Sequence, residues 1–374
     1  DRHLDSNLSR DNVPQIANSE GIERQGLSAT SEKAMSEPLV SILMPVYNAA
    51  ATLDEAFESL RNQSLRDFEI VAVDDGSEDG SGELLERWRE REPRLRLLRA
   101  GHEGLIGALN RGLSACRGRL LARMDADDRS HPQRLEKQVA LLERHSDVSV
   151  ASCLVELFPR EQVGEGFRIY VEWLNGLVGH EEIEREIFIE SPIVHPSAMV
   201  YREELVELGG YQERGWAEDY DLWLRFAAAG KRFAKVPETL FFWREHADRM
   251  THTDGRYSVE NFLRAKSHYL IGGPLRERNG LIVWGAGKTG RRLSKHLIRG
   301  GHRPDFFVDI DAKKIGGTLR NVPVIDVDEL ADRWEEWEHP MLLAAVGSRG
   351  ARGLIRGELA RLELREGVDF LCVA

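Results

Sequence analysis

The sequence is poor in cysteine and has no long hydrophobic run. Its three cysteines, Cys116, Cys153 and Cys372, are far apart and odd in number, so they predict neither a disulfide framework nor a metal site, and they favour a reducing, cytoplasmic location. No apolar run approaches the roughly 18 residues that span a bilayer, and the N-terminus lacks the hydrophobic core of a secretion signal. The sequence therefore predicts no spanning helix, while peripheral contact with the inner face of a membrane stays open.

Basic residues are also fewer than acidic residues. The 51 lysines and arginines are outnumbered by 63 aspartates and glutamates, which gives a formal net charge of −12. This balance argues against a nucleic-acid-binding protein, because such proteins need a concentrated basic face. The arginine-rich run at 87–99 is interleaved with glutamates, which is typical of a solvated helix surface. A chain of 374 residues is long for one core, so we expect two domains and additional segments.

The chain divides into four parts by composition and pattern. Residues 1–37 are rich in Ser, Asn, Glu and Gly without any period, which predicts a disordered or loosely attached tail. Strand and helix patterns alternate over 38–271, and they alternate again over 280–374. Such alternation is typical of parallel α/β sheets with right-handed crossovers. The Gly- and Pro-containing stretch 272–279 predicts a linker between the two α/β domains.

The second half of the first domain has weaker patterns. The apolar spacing predicts one helix around Val171 to Glu186, and a short strand over Thr239 to Trp243. Between them, an acidic start at Glu218 opens an amphipathic helix that ends near Gly230, a residue favoured at helix C-termini.

Three carboxylates follow the predicted strand at 120–124. In an extended strand Asp125 and Asp127 would share one face, whereas Asp128 would point elsewhere. Magnesium and manganese are typically held by one or two carboxylates together with substrate phosphates. This acidic stretch therefore predicts a metal site and a nucleotide-binding site. A solvated acidic turn is the alternative.

Polar stretches also follow two earlier strands of this domain. Pro45 to Asn48 ends the first strand, and Asp74 to Ser77 ends the second. Because ligands bind outside the carboxyl ends of parallel strands, these two stretches and the acidic one should converge on a single crevice. The sequence therefore predicts one binding site built from three strand ends.

In order and spacing, five segments resemble those of the inverting family 2 glycosyltransferases of the GT-A fold, over roughly 38–271. The segments are Ser41–Asn48, Val73–Ser77, Ala122–Asp128, His195–Ser197 and Ala217–Arg225. The resemblance implies a GT-A nucleotide-diphospho-sugar transferase fold. It also implies transfer of a sugar from a nucleotide-diphosphate donor, a UDP sugar, to an acceptor hydroxyl with inversion, in the synthesis of a surface polysaccharide or a lipid-linked glycan.

The same resemblance implies roles on the donor side. It assigns donor binding to Pro45, Val46, Tyr47, Asn48, Asp75 and Asp125. Asp75 would accept the N–H of a uracil ring, although a turn acid before Gly76 is the alternative, and Tyr47 can be ordinary packing. A divalent manganese or magnesium ion would be bound by Asp127, with Asp125 and His246 as further candidates.

On the acceptor side, the resemblance favours Asp219 as the general base, with Glu218 as the alternative base. The start of a helix favours negative charge, so we expect the Asp219 carboxylate to be ionised at neutral pH. A purely structural acid in the first helical turn is the competing interpretation. His195 would line the acceptor pocket, and a packed histidine is equally compatible with the sequence.

The second domain carries a glycine-rich turn between a predicted strand and a helix. Gly285, Gly287 and Gly290, with Asp309 about 20 positions later, have the context of a dinucleotide fingerprint. The domain resembles the small Rossmann-like domain at the front of bacterial sugar acyltransferases. This implies binding of a nucleotide or nucleotide sugar, and a docking role stays open.

Two other functions are compatible with the sequence. One is a nicotinamide-dependent oxidoreductase acting on nucleotide sugars, although no catalytic Tyr-Lys pair or Cys accompanies the glycine-rich turn. The other is a sugar-nucleotide-binding protein without catalysis. The donor sugar, the acceptor and the oligomeric state are not encoded in any recognisable pattern.

Overall fold

The structure, a computed structural model, describes residues 37–374. The tail predicted over 1–37 lies, apart from Glu37, outside the described residues. The described residues build two separate β-sheets, each flanked by helices, as the alternating patterns predict. Among these residues, no helix combines the length and the apolar composition that crossing a bilayer requires.

The first sheet has eight strands in the order β3-β2-β1-β4-β7-β6-β8-β5. The strands are β1 Val40–Val46, β2 Phe68–Asp74, β3 Leu95–Arg99, β4 Leu120–Arg123, β5 Arg129–Ser130, β6 Val148–Phe158, β7 Met199–Tyr201 and β8 Arg232–Arg244. The first four are parallel, as predicted, whereas β7 runs antiparallel to both β4 and β6. The polar strand ends therefore lie along one edge of a parallel half-sheet, and the remaining strands extend it beyond β4.

Helices cover this sheet on both faces. They are α1 Leu53–Arg61, α2 Ser81–Arg91, α3 Gly104–Ala115, α4 Arg134–Arg144, α5 Glu165–Asn175, α6 His180–Glu186, α7 Arg202–Glu207, α8 Glu218–Ala228, α9 Met250–Thr253 and α10 Val259–Gly272. The α3 helix lies close to the strands because Gly112 has no side chain: a Cβ there would be 2.2 Å from Leu43 Cδ1. This close approach lets the second half of α3 pack directly on Leu43 of β1 and Val73 of β2.

Two predictions for the second half of the domain are corrected by the structure. The single helix predicted around Val171 to Glu186 is wrong, because α5 ends before Gly176 and extended backbone at Gly179 precedes α6. The strand predicted over Thr239 to Trp243 is too short, because β8 begins at Arg232. Pro237 concealed this length: it lacks an N–H donor, and the pairing of β8 with β6 shifts register at that point.

The second sheet has six strands in the order β11-β12-β10-β9-β13-β14. They are β9 Gly280–Trp284, β10 Phe306–Val308, β11 Thr318–Leu319, β12 Val322–Ile325, β13 Pro340–Ala344 and β14 Phe370–Cys372, and the helices are α11 Lys288–Arg299, α12 Leu330–Trp334 and α13 Ala351–Arg361. All neighbouring strands are parallel except β11 and β12. From β9 the chain leads to β10 and on to β12 at one side of the sheet, and it then returns to β13 and β14 at the other side of β9, so the order of strands reverses between β9 and β13.

Helix α10 packs against the second sheet. Its Leu263 and Leu270 belong to the same buried cluster as Leu293 and Leu297 of α11, and Leu275 from the predicted linker is buried there too. The division into domains at 272–279 stays a prediction, since this segment packs into a core that both halves share.

Candidate active site

The acidic stretch lies in a turn and not in a strand. Strand β4 ends at Arg123, and the backbone N–H of Asp128 approaches the Asp125 carbonyl oxygen at 3.5 Å. The expected alternation, with Asp128 pointing away from Asp125 and Asp127, is therefore wrong. In the turn, all three side chains offer a carboxylate oxygen within 4.8 Å of one another.

A histidine from a distant segment completes this acidic turn. His246, which follows β8, places Nε2 3.0 Å from Asp127 Oδ2. Arg244, two residues earlier, donates to the backbone carbonyl of Asp127 at 2.6 Å and, from its backbone N–H, to Asp128 Oδ1 at 2.7 Å. The structure thus brings together the residues predicted as metal candidates, Asp125, Asp127 and His246.

The chemistry of the acidic turn suits a cation. Burial raises the pKa of Asp125 and raises the pKa of Asp128 well above its ordinary value, and the charge of Asp127 adds to both shifts. The second oxygen of Asp128, Oδ2, is buried and accepts no hydrogen bond from the described residues. Crowded carboxylates with a free buried oxygen fit a divalent ion, whose charge would offset their repulsion.

The loops after β1, β2 and β4 converge as predicted. The N–H of Asp75 donates to the Val46 carbonyl at 2.8 Å, and Thr52 Oγ1 donates to the Ala126 carbonyl of the acidic turn at 3.0 Å. Pro45 and Val46 are buried, whereas the side chains of Tyr47 and Asn48 are exposed. The predicted donor residues Pro45 to Asn48 therefore contribute two open side chains at the mouth of the crevice.

The Asp75 carboxylate already has partners in the protein. Its two oxygens accept the backbone N–H groups of Glu103 at 2.6 Å and Gly104 at 2.9 Å, at the start of α3. His102, whose Nδ1 is 3.2 Å from Asp75 Oδ2, stacks on Tyr47 with ring centroids 4.3 Å apart. The sequence prediction of the site does not include His102. This residue follows β3, and the predicted site was built only from the ends of β1, β2 and β4.

The two predicted bases lie in the first turn of α8 with different exposure. Glu218 is 1% exposed, and its two oxygens accept the Tyr257 hydroxyl at 3.0 and 2.8 Å. Asp219 is partly exposed, and its Oδ1 accepts the N–H of Tyr220 at 2.7 Å. Of the two acids, Asp219 is the one that a substrate can reach directly.

The environment of Asp219 opposes the expectation that this carboxyl is ionised at neutral pH in the free protein. Burial, and then the adjacent charge of Glu218, raises the pKa of Asp219 to about 8. Burial raises the pKa of Glu218 as well. The favourable helix start is outweighed here, because Asp219 lies next to a second, buried acid and is itself only partly exposed to water.

His195 is packed beneath this acid pair. It is 6% exposed, with Nε2 3.4 Å from the Tyr211 hydroxyl and Nδ1 3.8 Å from Glu218 Oε1. Burial and the charge of Arg123 lower the pKa of His195 well below its ordinary value, so the ring is neutral. It presents little surface to an acceptor, and its role in lining the acceptor pocket stays a prediction.

Arg123 links the acidic turn to the acid pair and was also missed. Its guanidinium is 2% exposed and donates to Asp125 Oδ1 at 2.7 Å and to the Met124 carbonyl at 2.5 Å. Burial lowers the pKa of Arg123, but the carboxylate of Asp125, with Tyr211 and Glu218, outweighs burial and leaves the pKa raised. An arginine inside an otherwise apolar strand was the available signal.

The glycine-rich turn of the second sheet has the predicted location. It follows β9, where Gly285 has a positive φ of 114°, and it leads into α11. A Cβ at Gly290 would lie 1.9 Å from the Gly285 carbonyl oxygen, so only glycine fits there. Asp309 lies at the end of β10 as expected, but its Oδ2 accepts the N–H of Ala286 at 2.8 Å and Lys314 Nζ at 3.0 Å. The Asp309 carboxylate therefore stabilises the glycine-rich turn through hydrogen bonds within the protein.

Comparisons with known proteins agree with this architecture. EpsE of Bacillus subtilis (strain 168) is 33% identical over 236 residues, covering 60% of this chain and 80% of that protein. The amylovoran biosynthesis glycosyltransferase AmsE of Erwinia amylovora is 31% identical over 221 residues, covering 58% of this chain and 80% of that protein. S. aureus TarS 1–349, crystallised in complex with UDP-GlcNAc, superposes with a TM-score of 0.52 at 17% identity, covering 70% of this chain and 72% of that one.

The TarS likeness shows that this chain shares the fold of TarS over the matched 70% of its length, which is the GT-A arrangement that the sequence predicts. Residues 41–209, which include the acidic turn and the His195 segment, match the family described as glycosyl transferase family 2. Because EpsE and AmsE, at 33% and 31% identity, are each matched over 80% of their length, the chain belongs to glycosyl transferase family 2.

Proposed function

We propose that this glycosyltransferase moves a sugar from a UDP sugar to an acceptor hydroxyl, with inversion at the anomeric carbon and with help from a divalent metal. The observation that carries the proposal is the acidic turn with His246, whose Asp125 is bonded to Arg123, a buried arginine whose charge also acts on Glu218 of the acid pair. One side of this arrangement suits a charged diphosphate with its cation, and the other offers a base.

On the donor side, the loops after β1 and β2 would receive the nucleotide. Tyr47 and His102 present a stacked pair of exposed rings beside Asp75, and a flat base can extend such a stack. Asp75 is 3% exposed and is held by the start of α3, and its remaining lone pairs would accept the N–H of a uracil ring that enters beside Tyr47 and His102. Asn48 Oδ1 accepts the N–H of Glu78 at 2.9 Å, which fixes the loop below the base.

The acidic turn would hold the metal through Asp127, Asp125 and His246. When bound, manganese or magnesium supplies Lewis-acid stabilisation of the negative charge on the departing diphosphate. Arg123 holds Asp125 through a charge-assisted hydrogen bond, and Arg244 holds Asp128, so two arginines fix the orientation of the acidic turn before any ligand arrives.

On the acceptor side, Asp219 would act as the base. The acceptor oxygen forms a bond to the anomeric carbon while the bond from that carbon to the diphosphate oxygen breaks on the opposite face, which inverts the configuration. The acceptor proton passes to the Asp219 carboxylate, and the nucleotide diphosphate leaves. Glu218, held by Tyr257, would position Asp219 and tune its pKa.

We also infer that the two α/β parts of the chain have different functions. Residues 38–271 would form the catalytic domain, and 280–374 would form a Rossmann-like domain in which Gly285–Gly290 and Asp309 bind a nucleotide or support docking. The surface-polysaccharide context is supported by the similarity to AmsE, an amylovoran biosynthesis glycosyltransferase. A titration with NAD tests the competing oxidoreductase interpretation, which requires binding at the glycine-rich turn.

A melting-temperature screen of nucleotide sugars with and without manganese tests the proposed function. A ligand that binds only the folded protein adds about 2.7 kcal/mol when present at one hundred times its Kd, so a UDP sugar with manganese should raise the melting temperature. The Asp127→Asn variant should lose the manganese-dependent part of that rise. The donor that shifts the wild type is then offered with acceptors, and the anomeric configuration of the product is measured by NMR. Absence of any shift, or a retained configuration, contradicts the proposal.

A further inference from the structure

A polar cleft separates α5 of the first sheet from the second sheet. It has a volume of about 480 Å³ and is lined by Ile169 on α5, by the loop 346–350 after β13, and by α13. Clefts of a few hundred cubic ångströms are the size of small-molecule sites. None of the residues placed in the glycosyl-transfer site lines it.

The cleft coincides with the reversal of chain direction in the second sheet. Strands β9 and β13 are neighbours, and the connections from them lead to opposite sides of the sheet. In open parallel sheets, ligands bind in the crevice outside the carboxyl ends of the strands at such a point. The two loops there are close together, because a Cβ at Gly347 would be 3.4 Å from Thr289 Oγ1 at the start of α11.

Three arginines line the cleft with helical spacing. Arg352 and Arg356 lie on α13, and Arg349 lies one turn before Arg352. Arg352 donates to Glu186 at 2.7 Å, and Arg356 donates to Glu186 at 2.5 Å and to Glu366 at 2.7 Å. Arg352 Nε also donates to the carbonyl of Ala374, another lining residue, at 3.3 Å, and Arg356 Nε donates to Glu366 at 2.9 Å. These bonds hold two guanidinium groups in place at the wall of the cleft, and the N–H groups that they leave over can serve a ligand.

Arg349 differs from the other two. It pairs across the cleft with Glu165 of α5 at 4.0 Å, and the two side chains are 77% and 85% exposed. Exposed ion pairs of this kind contribute little to the stability of the fold. An incoming anion can therefore replace Glu165 as the partner of Arg349 with only a small loss of free energy. Arg349 is therefore the guanidinium most available to a ligand.

We propose that this cleft binds a diphosphate group at a second site, separate from the donor site of glycosyl transfer. Arginine forks match phosphate oxygens with paired, charge-assisted hydrogen bonds. The Gly-containing loop 346–350 adds backbone N–H groups, and the N-terminus of the 11-residue α13 adds a favourable dipole. The proposal is independent of the donor and the base proposed above, since it uses other residues.

Calorimetric titration with inorganic pyrophosphate, at low ionic strength and with EDTA present, tests this proposal. EDTA removes the metal on which the donor site depends. We expect Arg349→Ala to weaken pyrophosphate binding about tenfold, the effect of one charge-assisted hydrogen bond. Glu165→Gln should tighten binding, because it removes the anion that competes for Arg349. Arg361→Ala is the matched control, since this arginine is on the same helix with a side chain 74% exposed and does not line the cleft.

Two further titrations distinguish the sources of the diphosphate. Tighter binding of UDP than of pyrophosphate points to a nucleotide, and tighter binding of geranyl diphosphate points to a lipid-linked carrier; either result supports a diphosphate site. The proposal is overturned if pyrophosphate does not bind, or if Arg349→Ala binds it as well as Arg361→Ala does. An unchanged or weakened affinity in Glu165→Gln also counts against it.

Discussion

Replacing Asp219 with asparagine should abolish sugar transfer and, at the same time, stabilise the protein at alkaline pH. The pKa of this carboxyl is raised from its ordinary value of 3.8 to about 8 by burial and by the charge of Glu218. Between these two pH values the folded state keeps a proton that the unfolded state has released. The contribution of Asp219 to the free energy of unfolding must therefore fall as pH rises through this window, and it levels off above pH 8.

The size of this effect follows from the shift. One pKa unit corresponds to about 1.4 kcal/mol, so the three units between pH 5 and pH 8 set an upper limit of about 4 kcal/mol. The side chain of Asp219 is partly exposed, and water screens the repulsion. We therefore expect the asparagine variant to gain about 1–2 kcal/mol over the wild type between pH 5 and pH 8.

Urea unfolding at pH 5.0, 6.5 and 8.0, with EDTA present, measures this gain. Asp147→Asn is the control, because the side chain of Asp147 is 62% exposed and distant in sequence from the acid pair. In parallel, release of UDP in the presence of acceptor should fall by about two orders of magnitude or more in Asp219→Asn. A difference between variant and wild type that is the same at all three pH values would refute the proposed protonation of Asp219, and full activity would refute its role as base.

Three further outcomes are expected. His246→Ala should raise the manganese concentration required for half-maximal activity by about 10- to 100-fold, the usual effect of weakening a metal site, and unchanged manganese dependence would exclude this histidine. Glu218→Gln removes the charge next to Asp219, so the rise of kcat/KM with pH should move to lower pH; a shift to higher pH would contradict the electrostatic argument. Gly290→Ala should cost about 2–3 kcal/mol in urea unfolding through overpacking, whereas Gly287→Ala, with open space around its Cβ, should cost less than 1 kcal/mol.

The parallel half of the first sheet could be predicted from sequence because its signals are local. Each buried strand is a short apolar run, and each ends in polar residues that point to the same edge. The antiparallel β7 and the full length of β8 could not be predicted in this way. A three-residue strand such as β7 has no detectable period, and Pro237 interrupts the pattern of β8 at a shift in register that only the pairing with β6 explains.

The residues of the candidate site also differ in whether local sequence signals can predict them. Residue types at strand ends revealed Asp75, Asp125 and Asp127, since short acidic motifs are visible in one segment. His102 and Arg123 were missed, because their importance comes from a ring stacked on Tyr47 and from a carboxylate reached through a turn. The protonation state of an acid is equally nonlocal, since it is set by burial and by charges on other elements.

The charges of the site explain why its two halves should work together. Five acids, Asp125, Asp127, Asp128, Glu218 and Asp219, belong to the two halves of the site, and the buried Arg123 bonds to the first and is attracted to the fourth. The charges of Arg249, Arg134 and Arg256 offset only part of their repulsion, since the pKa values of Asp125, Asp128 and Glu218 stay raised. A diphosphate brings further negative charge, so its binding is unfavourable unless a cation enters with it. The same cation would lower the pKa of nearby acids, including those on the acceptor side. Donor loading would therefore favour the ionised base, and Asp219 would become an effective proton acceptor only when a sugar is in place to be transferred.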